Sequence, residues 1–227
     1  MAGTRLGVLG GTFNPIHNGH LQIAQHVQKL FSLSKVHFVL ATVPPHKSAE
    51  RLLSLTHRYA MLCLATQDDS DFIPSLVELE PPASAFSVDT MEKLSGRMGA
   101  ASGLFFIAGT DSLLEVASWH QSEKLLSLYN FVFVVRPGVD PVDPTTTLPE
   151  VARGRVMDLR GRDPISTRAA IENKSMSRGG IFLVDTDAPD ISASGIRASL
   201  AVGEQVAHLL PGPVDDYIRK LHLYGEQ

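Results

Sequence analysis

The sequence predicts an α/β protein, a parallel sheet with helices on both faces, and three observations carry that reading. Apolar runs rich in Val, Ile, Leu and Phe recur along the chain, separated by stretches of helical period, the order of strands joined by crossover helices. Two of these runs, Leu104–Ala108 and Phe131–Val135, are apolar at every position, as strands covered on both faces must be. Finally, 227 residues with 44% hydrophobic and 19% charged positions can bury one large core, which excludes fibrous and disordered classes.

Taken in order, Leu6–Leu9 reads as the first strand, followed by a glycine-containing loop and a helix with Leu21, Ala24, Val27 and Leu30 or Phe31 on one face. Val36–Leu40 is the second strand. A turn at Pro44 and Pro45 leads to a helix capped by Ser54 or Thr56 and running through Leu64. Leu76–Leu79 reads as a short strand, and Ser87 as the cap of a helix bearing Val88, Met91, Leu94 and Met98. The strand Leu104–Ala108 ends in Gly109-Thr110-Asp111-Ser112, a helix covers Ser122–Leu128, and Phe131–Val135 stops at the turn Arg136-Pro137-Gly138. Beyond it the pattern fades: a Pro-, Asp- and Thr-rich stretch to residue 149, a helical stretch near Glu150–Leu159, and a polar stretch over 160–179 with little periodicity. Residues 139–179 are therefore expected to be surface elaboration on a single domain spanning 1–227. Ile181–Val184 is the last strand, and Ser194 and Pro213 open two terminal helices, the second ending near Leu221.

The formal net charge of −4 argues against a nucleic-acid binder, so an anionic ligand has to be caught by a local cluster of donors. The single cysteine, Cys63, cannot form a disulfide or a thiolate zinc site within one chain. With no secretory leader pattern and no membrane-length apolar window, a cytoplasmic protein is expected.

Ligands of open α/β sheets bind beyond the carboxyl ends of the strands. The segment Gly10-Gly11-Thr12-Phe13-Asn14-Pro15-Ile16-His17-Asn18-Gly19-His20 follows the first strand, and its chemistry points to phosphate. Gly10 and Gly11 let backbone N–H groups approach a ligand, and the helix N-terminus adds partial positive charge. His17 precedes that helix and His20 lies in its first turn, within reach of one anion. Neither G-x-x-x-x-G-K-[ST] nor G-x-G-x-x-G is present, which disfavours the common nucleoside-triphosphatase and dinucleotide loops. Two polar capping histidines beside a glycine turn would explain the same residues without a ligand. A zinc site on His17 and His20 lacks a third ligand nearby.

Thr12 to His20 match every fixed position of T-F-x-P-x-H-x-G-H, and by this motif the chain resembles the H-x-G-H nucleotidyltransferases, with their Rossmann-like sheet. Further matches narrow the resemblance to the nicotinate-nucleotide adenylyltransferase family: Val43-Pro44-Pro45-His46-Lys47, Phe86-Ser87-Val88-Asp89-Thr90, Gly109-Thr110-Asp111-Ser112-Leu113 with Trp119, Val135-Arg136-Pro137-Gly138, Ile191-Ser192-Ala193-Ser194-Gly195-Ile196-Arg197, and the tail from Leu209 to Tyr224. The resemblance implies adenylyl transfer from ATP to nicotinate mononucleotide. It places His17, His20 and Arg197 at the reacting phosphates. Gly10, Gly11, Thr12, Phe13, His46, Lys47, Gly109, Asp111, Ile191, Ser192 and Ser194 would hold ATP, Asp111 through the ribose hydroxyls. Phe86, Ser87, Thr90, Trp119, His120 and Arg136 would hold the mononucleotide, Trp119 and His120 as an aromatic pair beside the pyridine. Magnesium is implied with ATP, and no resident protein metal site is expected.

The chain departs from the family's frequent choices at Asn14, where aspartate is common, and at Phe86, Ser87 and His120, where tyrosine, threonine and tyrosine are. The last three line the mononucleotide side and bear on ring selectivity. Transfer onto the amidated mononucleotide is therefore the nearest alternative. A non-catalytic nucleotide-binding module stands further off, as do transfer onto phosphopantetheine and a metallohydrolase.

Overall fold

The computed structural model describes residues 4–42, 52–98, 103–135, 142–173 and 179–225. His46, Lys47 and Arg136, and the turns that carry them, lie outside these residues.

Seven strands form one sheet: β1 (Arg5–Gly11), β2 (Lys35–Leu40), β3 (Phe72–Ser75), β4 (Gly103–Gly109), β5 (Asn130–Val135), β6 (Val156–Asp158) and β7 (Ile181–Asp185), in spatial order β3-β2-β1-β4-β5-β7-β6. Every neighbouring pair is parallel. The helices are α1 (Asn18–Phe31), α2 (Leu55–Thr66), α3 (Ser87–Met98), α4 (Thr110–Glu115), α5 (Ser122–Leu128), α6 (Pro144–Thr147), α7 (Glu150–Arg153), α8 (Pro164–Asn173), α9 (Ala193–Ala201) and α10 (Gly212–Lys220). As the sequence predicts, this is an α/β fold with helices on both faces.

The alternation of side chains along each strand divides the core in two. Phe105 and Ile107 of β4, Val132 and Val134 of β5, and Phe182 and Val184 of β7 face α1, α2, α8, α9 and α10. Leu104 and Phe106, Phe131 and Phe133, and Ile181 and Leu183 face the opposite way, toward α3, α5 and α7. The central strands read as unbroken apolar runs because both of these layers are dry.

Five expectations are corrected. Leu76–Leu79 is not a strand: Val77–Leu79 is a 3-10 turn, and the strand is Phe72–Ser75 just before it. Pro74 interrupts the apolar run there, and a proline is tolerated because β3 lies at the sheet edge. Glu150–Leu159 is not one helix; it breaks at Arg153, and Val156–Asp158 continues as β6, the other edge strand. The polar stretch 160–179 contains helix α8, opened by Asp163, whose Oδ1 accepts from the Ile165 and Ser166 amides, and by Pro164 at the first helical position. At two helix starts the capping serine is displaced. Ser87 is the first residue of α3 rather than its cap, while Ser84 Oγ accepts from the Phe86 amide. Ser192, not Ser194, caps α9 by accepting from Gly195 N at 3.1 Å, which moves Arg197 from the third helical position to the fifth.

The order of the strands has one consequence for function. From β1 the chain builds outward through β2 and β3, and from β4 it builds the other way through β5, with β7 next and β6 at the edge, so the order reverses between β1 and β4. A crevice opens at the carboxyl ends of such a pair, where the following helices diverge to opposite faces. The loops above it are Gly11 to His17 and Gly109 to Thr110.

Candidate active site

The β1–α1 loop is held in an unusual shape. Phe13 adopts a left-handed backbone (φ 45) and is 2% exposed, with its ring folded back over Gly11. A Cβ on Gly11 would lie 2.7 Å from that ring, so only glycine fits while Phe13 stays in place. Gly11→Ala is expected to cost about 1–3 kcal/mol, the usual range for overpacking. Thermal or urea unfolding checks this; a variant as stable as the parent would show that Phe13 moves freely. The ring of Phe13 meets His20 edge-on, with centroids 5.1 Å apart.

His17 precedes the first residue of α1 in extended backbone and is 5% exposed. The two histidine rings stack with centroids 3.7 Å apart and an interplanar angle of 29°. His17 N–H donates to His20 Nδ1 at 3.3 Å, and His20 N–H donates back to the His17 carbonyl at 3.0 Å. A ring that accepts at Nδ1 carries its proton on Nε2, so His20 is set up as an Nε2–H donor. Of the two rings His20 is the more accessible; His17 backs it. Gly19 keeps this corner open: a Cβ there would sit 3.1 Å from His17 Nδ1 and 3.5 Å from the Pro189 carbonyl oxygen.

The late segment meets the same loop. Arg197, on α9, donates from an Nη to the Asn14 backbone carbonyl at 2.8 Å. Its Nε is covered and has no hydrogen-bond partner among the described residues. The exposed hydroxyls of Ser192 and Ser194 lie 3.3 Å apart at the N-terminus of α9, where free N–H groups and the helix dipole favour an anion. The Ile191 side chain packs into the core, leaving its backbone for any contact. The two stretches that the sequence assigned to phosphate are thus joined through Asn14, and both flank the carboxyl ends of the central strands.

Across the crevice, Gly109 ends β4 and caps α4, and Asp111 is exposed in the first turn of that helix. Buried Thr110 ties the turn to β5 by donating from Oγ1 to the Val134 carbonyl at 3.4 Å. On the α3 side, Phe86 is 52% exposed and its ring stacks on His120 at 4.2 Å, a pairing that the sequence did not foresee. Trp119 does not pair with His120; it packs edge-on against Phe106 of β4, with centroids 5.7 Å apart. Thr90, expected beside Ser87, is buried, with its hydroxyl facing no hydrogen-bond partner among the described residues.

Two residues that the sequence reading passed over hold this frame. Arg58 of α2 is 2% exposed and, among the described residues, its hydrogen bonds go to backbone carbonyls: Leu53 from Nε, Thr12 and Ala41 from one Nη, and Thr42 from the other. It ties the exit of β1 to the exit of β2. Glu78 accepts from both the amide and the hydroxyl of Thr42, at 3.0 and 3.2 Å. Burial pushes its carboxyl above the ordinary range, against the pull of the Thr42 bonds and of the Lys93 and Arg58 charges. An arginine inside the apolar run of a predicted helix was the available signal.

The fold and this loop pair define a nucleotidyltransferase, and comparison with known proteins agrees. Residues 8–199 match the cytidylyltransferase-like family model. The chain belongs to that family, among its nicotinate-nucleotide adenylyltransferases. It is 36% identical over 223 residues to a protein of Citrifermentans bemidjiense named probable nicotinate-nucleotide adenylyltransferase, covering 97% of this chain and 98% of that one. A protein of the same name from Thermoanaerobacter sp. is 34% identical over 220 residues, covering 97% and 94%. The fold matches a solved structure of Plasmodium falciparum nicotinic acid mononucleotide adenylyltransferase complexed with NaAD, with TM-score 0.70, 18% identity and 97% of each chain covered.

Proposed function

We propose that the protein transfers the adenylyl group of ATP to nicotinate mononucleotide, giving deamido-NAD and pyrophosphate. The observation that carries this reading is the junction at Asn14, which sets Arg197 and the His17–His20 pair around one crevice at the sheet reversal. The mononucleotide phosphate attacks the α-phosphorus of ATP; a new P–O bond forms and the bond to the β-phosphate oxygen breaks, with the electron pair leaving on pyrophosphate. A phosphate monoester has a second pKa of about 6, so the nucleophile arrives mostly dianionic and requires no base. The protein's task is to align two anions that repel each other and to stabilise charge on the transferring and leaving oxygens.

His20 Nε2–H and the Arg197 guanidinium supply charge stabilisation, and His17 fixes the ring of His20. Ser192, Ser194 and the N-terminus of α9 hold the triphosphate tail together with His46 and Lys47. Gly10, Gly11, Thr12 and Phe13 bring backbone close to ATP, with Gly109 and Asp111 toward the ribose. Phe86, Ser87, Thr90, Trp119, His120 and Arg136 are assigned to the mononucleotide. The donors gathered here are N–H and O–H groups suited to phosphate oxygens, so magnesium would be held chiefly by the triphosphate and water. Bound there, it would supply charge neutralisation to the pyrophosphate leaving group. We place the enzyme in the cytoplasm and treat residues 1–227 as one catalytic domain. Among the described residues no helix is long and apolar enough to cross a membrane.

The test gives the purified protein ATP and magnesium with nicotinate mononucleotide, its amide, or phosphopantetheine, and measures pyrophosphate and the nucleotide product. Turnover is expected with nicotinate mononucleotide above the other two. Release with phosphopantetheine alone would overturn the acceptor assignment, and ATP binding without product from any acceptor would point to a non-catalytic module.

A further inference from the structure

The chain leaves α10 through two residues in left-handed backbone, His222 (φ 50) and Tyr224 (φ 67). Bulky side chains avoid that region, so a tail that adopts it twice is held by what it touches. The turn sends Tyr224 back across the molecule, where its hydroxyl donates to Asn14 Oδ1 at 2.7 Å. Asn14 is 5% exposed. Its Oδ1 also accepts from Leu53 N at 3.4 Å, while its backbone carbonyl accepts from Arg197 at 2.8 Å. One residue, three positions ahead of His17, thus receives the terminal tail on its side chain and the α9 arginine on its main chain.

We infer that Tyr224 is a positioning residue for adenylyl transfer: its hydroxyl holds Asn14 so that Arg197 and the histidine pair stay in register with the reacting phosphates. This rests on the proposed reaction. The phenol's O–H is directed at Asn14 Oδ1, so its action on the site is assigned to that contact. Burial pushes the hydroxyl's pKa up, against the neighbouring Arg197 and Arg58 charges, and keeps it a donor at neutral pH. The acceptor can be an amide or a carboxylate oxygen, so Asn14→Asp preserves the contact and Asn14→Leu removes it.

Tyr224→Phe deletes only the hydroxyl. The expected result is a fall in kcat of about tenfold with the KM for ATP within about twofold, since an interaction that orients reacting groups acts in the transition state. Asn14→Leu should lower kcat similarly, the double variant Asn14→Leu/Tyr224→Phe should add little to either, and Asn14→Asp should keep most of the parental kcat. A purely structural role would instead lower the unfolding midpoint and leave kcat per folded molecule unchanged. Amide exchange over residues 12–20, measured without substrate, should accelerate in Tyr224→Phe while exchange in β4 and β5 does not. Parental turnover in Tyr224→Phe, multiplicative losses in the double variant, or unchanged exchange in the loop would each overturn the inference. Failure of the proposed reaction itself shows separately, as absence of pyrophosphate from the unmodified protein, and the exchange measurement then still decides the tail–loop coupling.

Discussion

His20→Ala is expected to lower kcat by a hundredfold or more. Removing one pre-organised donor to a developing oxyanion typically costs about 2.7–4 kcal/mol of transition-state stabilisation, a factor of about 10² to 10³. The geometry says why His20 rather than His17 should carry most of that loss. His20 is the more accessible ring, and its Nδ1 accepts from the His17 amide, which puts the ring proton on Nε2. The backbone-to-ring hydrogen bond, the stacked neighbour and the edge of Phe13 go with the ring, and the cost to folding is expected to be small beside the loss of turnover. Steady-state kinetics with ATP and nicotinate mononucleotide, alongside thermal unfolding, makes the check. His20→Gln, which retains an N–H donor, should lie between the two. Turnover of His20→Ala within a few-fold of the parent would remove the residue from the chemistry.

The second large effect is on stability. Arg58→Leu is expected to cost at least about 3 kcal/mol, because each buried carbonyl left without its donor costs about 1–3 kcal/mol. The arginine serves the carbonyls of Thr12, Ala41, Thr42 and Leu53 from inside the core, and these would lose their donor together. Glu78 would also lose one of the two positive charges that favour its ionised form. Arg58→Lys keeps a charge but not the planar fork that reaches several carbonyls, so it should recover only part of the loss. Urea unfolding measures both. A change of less than about 1 kcal/mol in Arg58→Leu would show that water satisfies those carbonyls unaided.

The two predictions differ in how far the sequence could have led to them. His20 announces itself through glycines, a helix start and a second histidine at fixed spacing, all within one short segment. Arg58 and Tyr224 act on a backbone carbonyl or on a residue far along the chain, and such partners leave no local pattern. The central strands were legible because residues such as Phe131, Phe133 and Phe182 are buried on one face or the other, which forces continuous apolar runs. The edges were not. β3 contains Pro74, and β6 is three residues long and set among polar neighbours, so neither carries a core's worth of apolar signal. Helix α8 was missed although Asp163-Pro164 is a good start signal, because only part of the helix turns to the core, Thr167 and Ile171 among it. At α9 two serines stood two positions apart, and only packing decided that the first caps the helix. Similarly, the pairing of Phe86 with His120 depends on how α3 and the segment after α4 approach each other, which neither segment encodes alone.

The contacts that brace the early loop come from the far end of the polypeptide, from residues 183 and 210 positions away. Closing so long a span is costly in entropy and is repaid only once the intervening layers have packed. During synthesis β1, β2 and β4 can associate long before α9 emerges. The nascent chain would then hold its histidines in a loop without lateral support, and competence to bind two nucleotides would arrive near the end of folding rather than with the sheet.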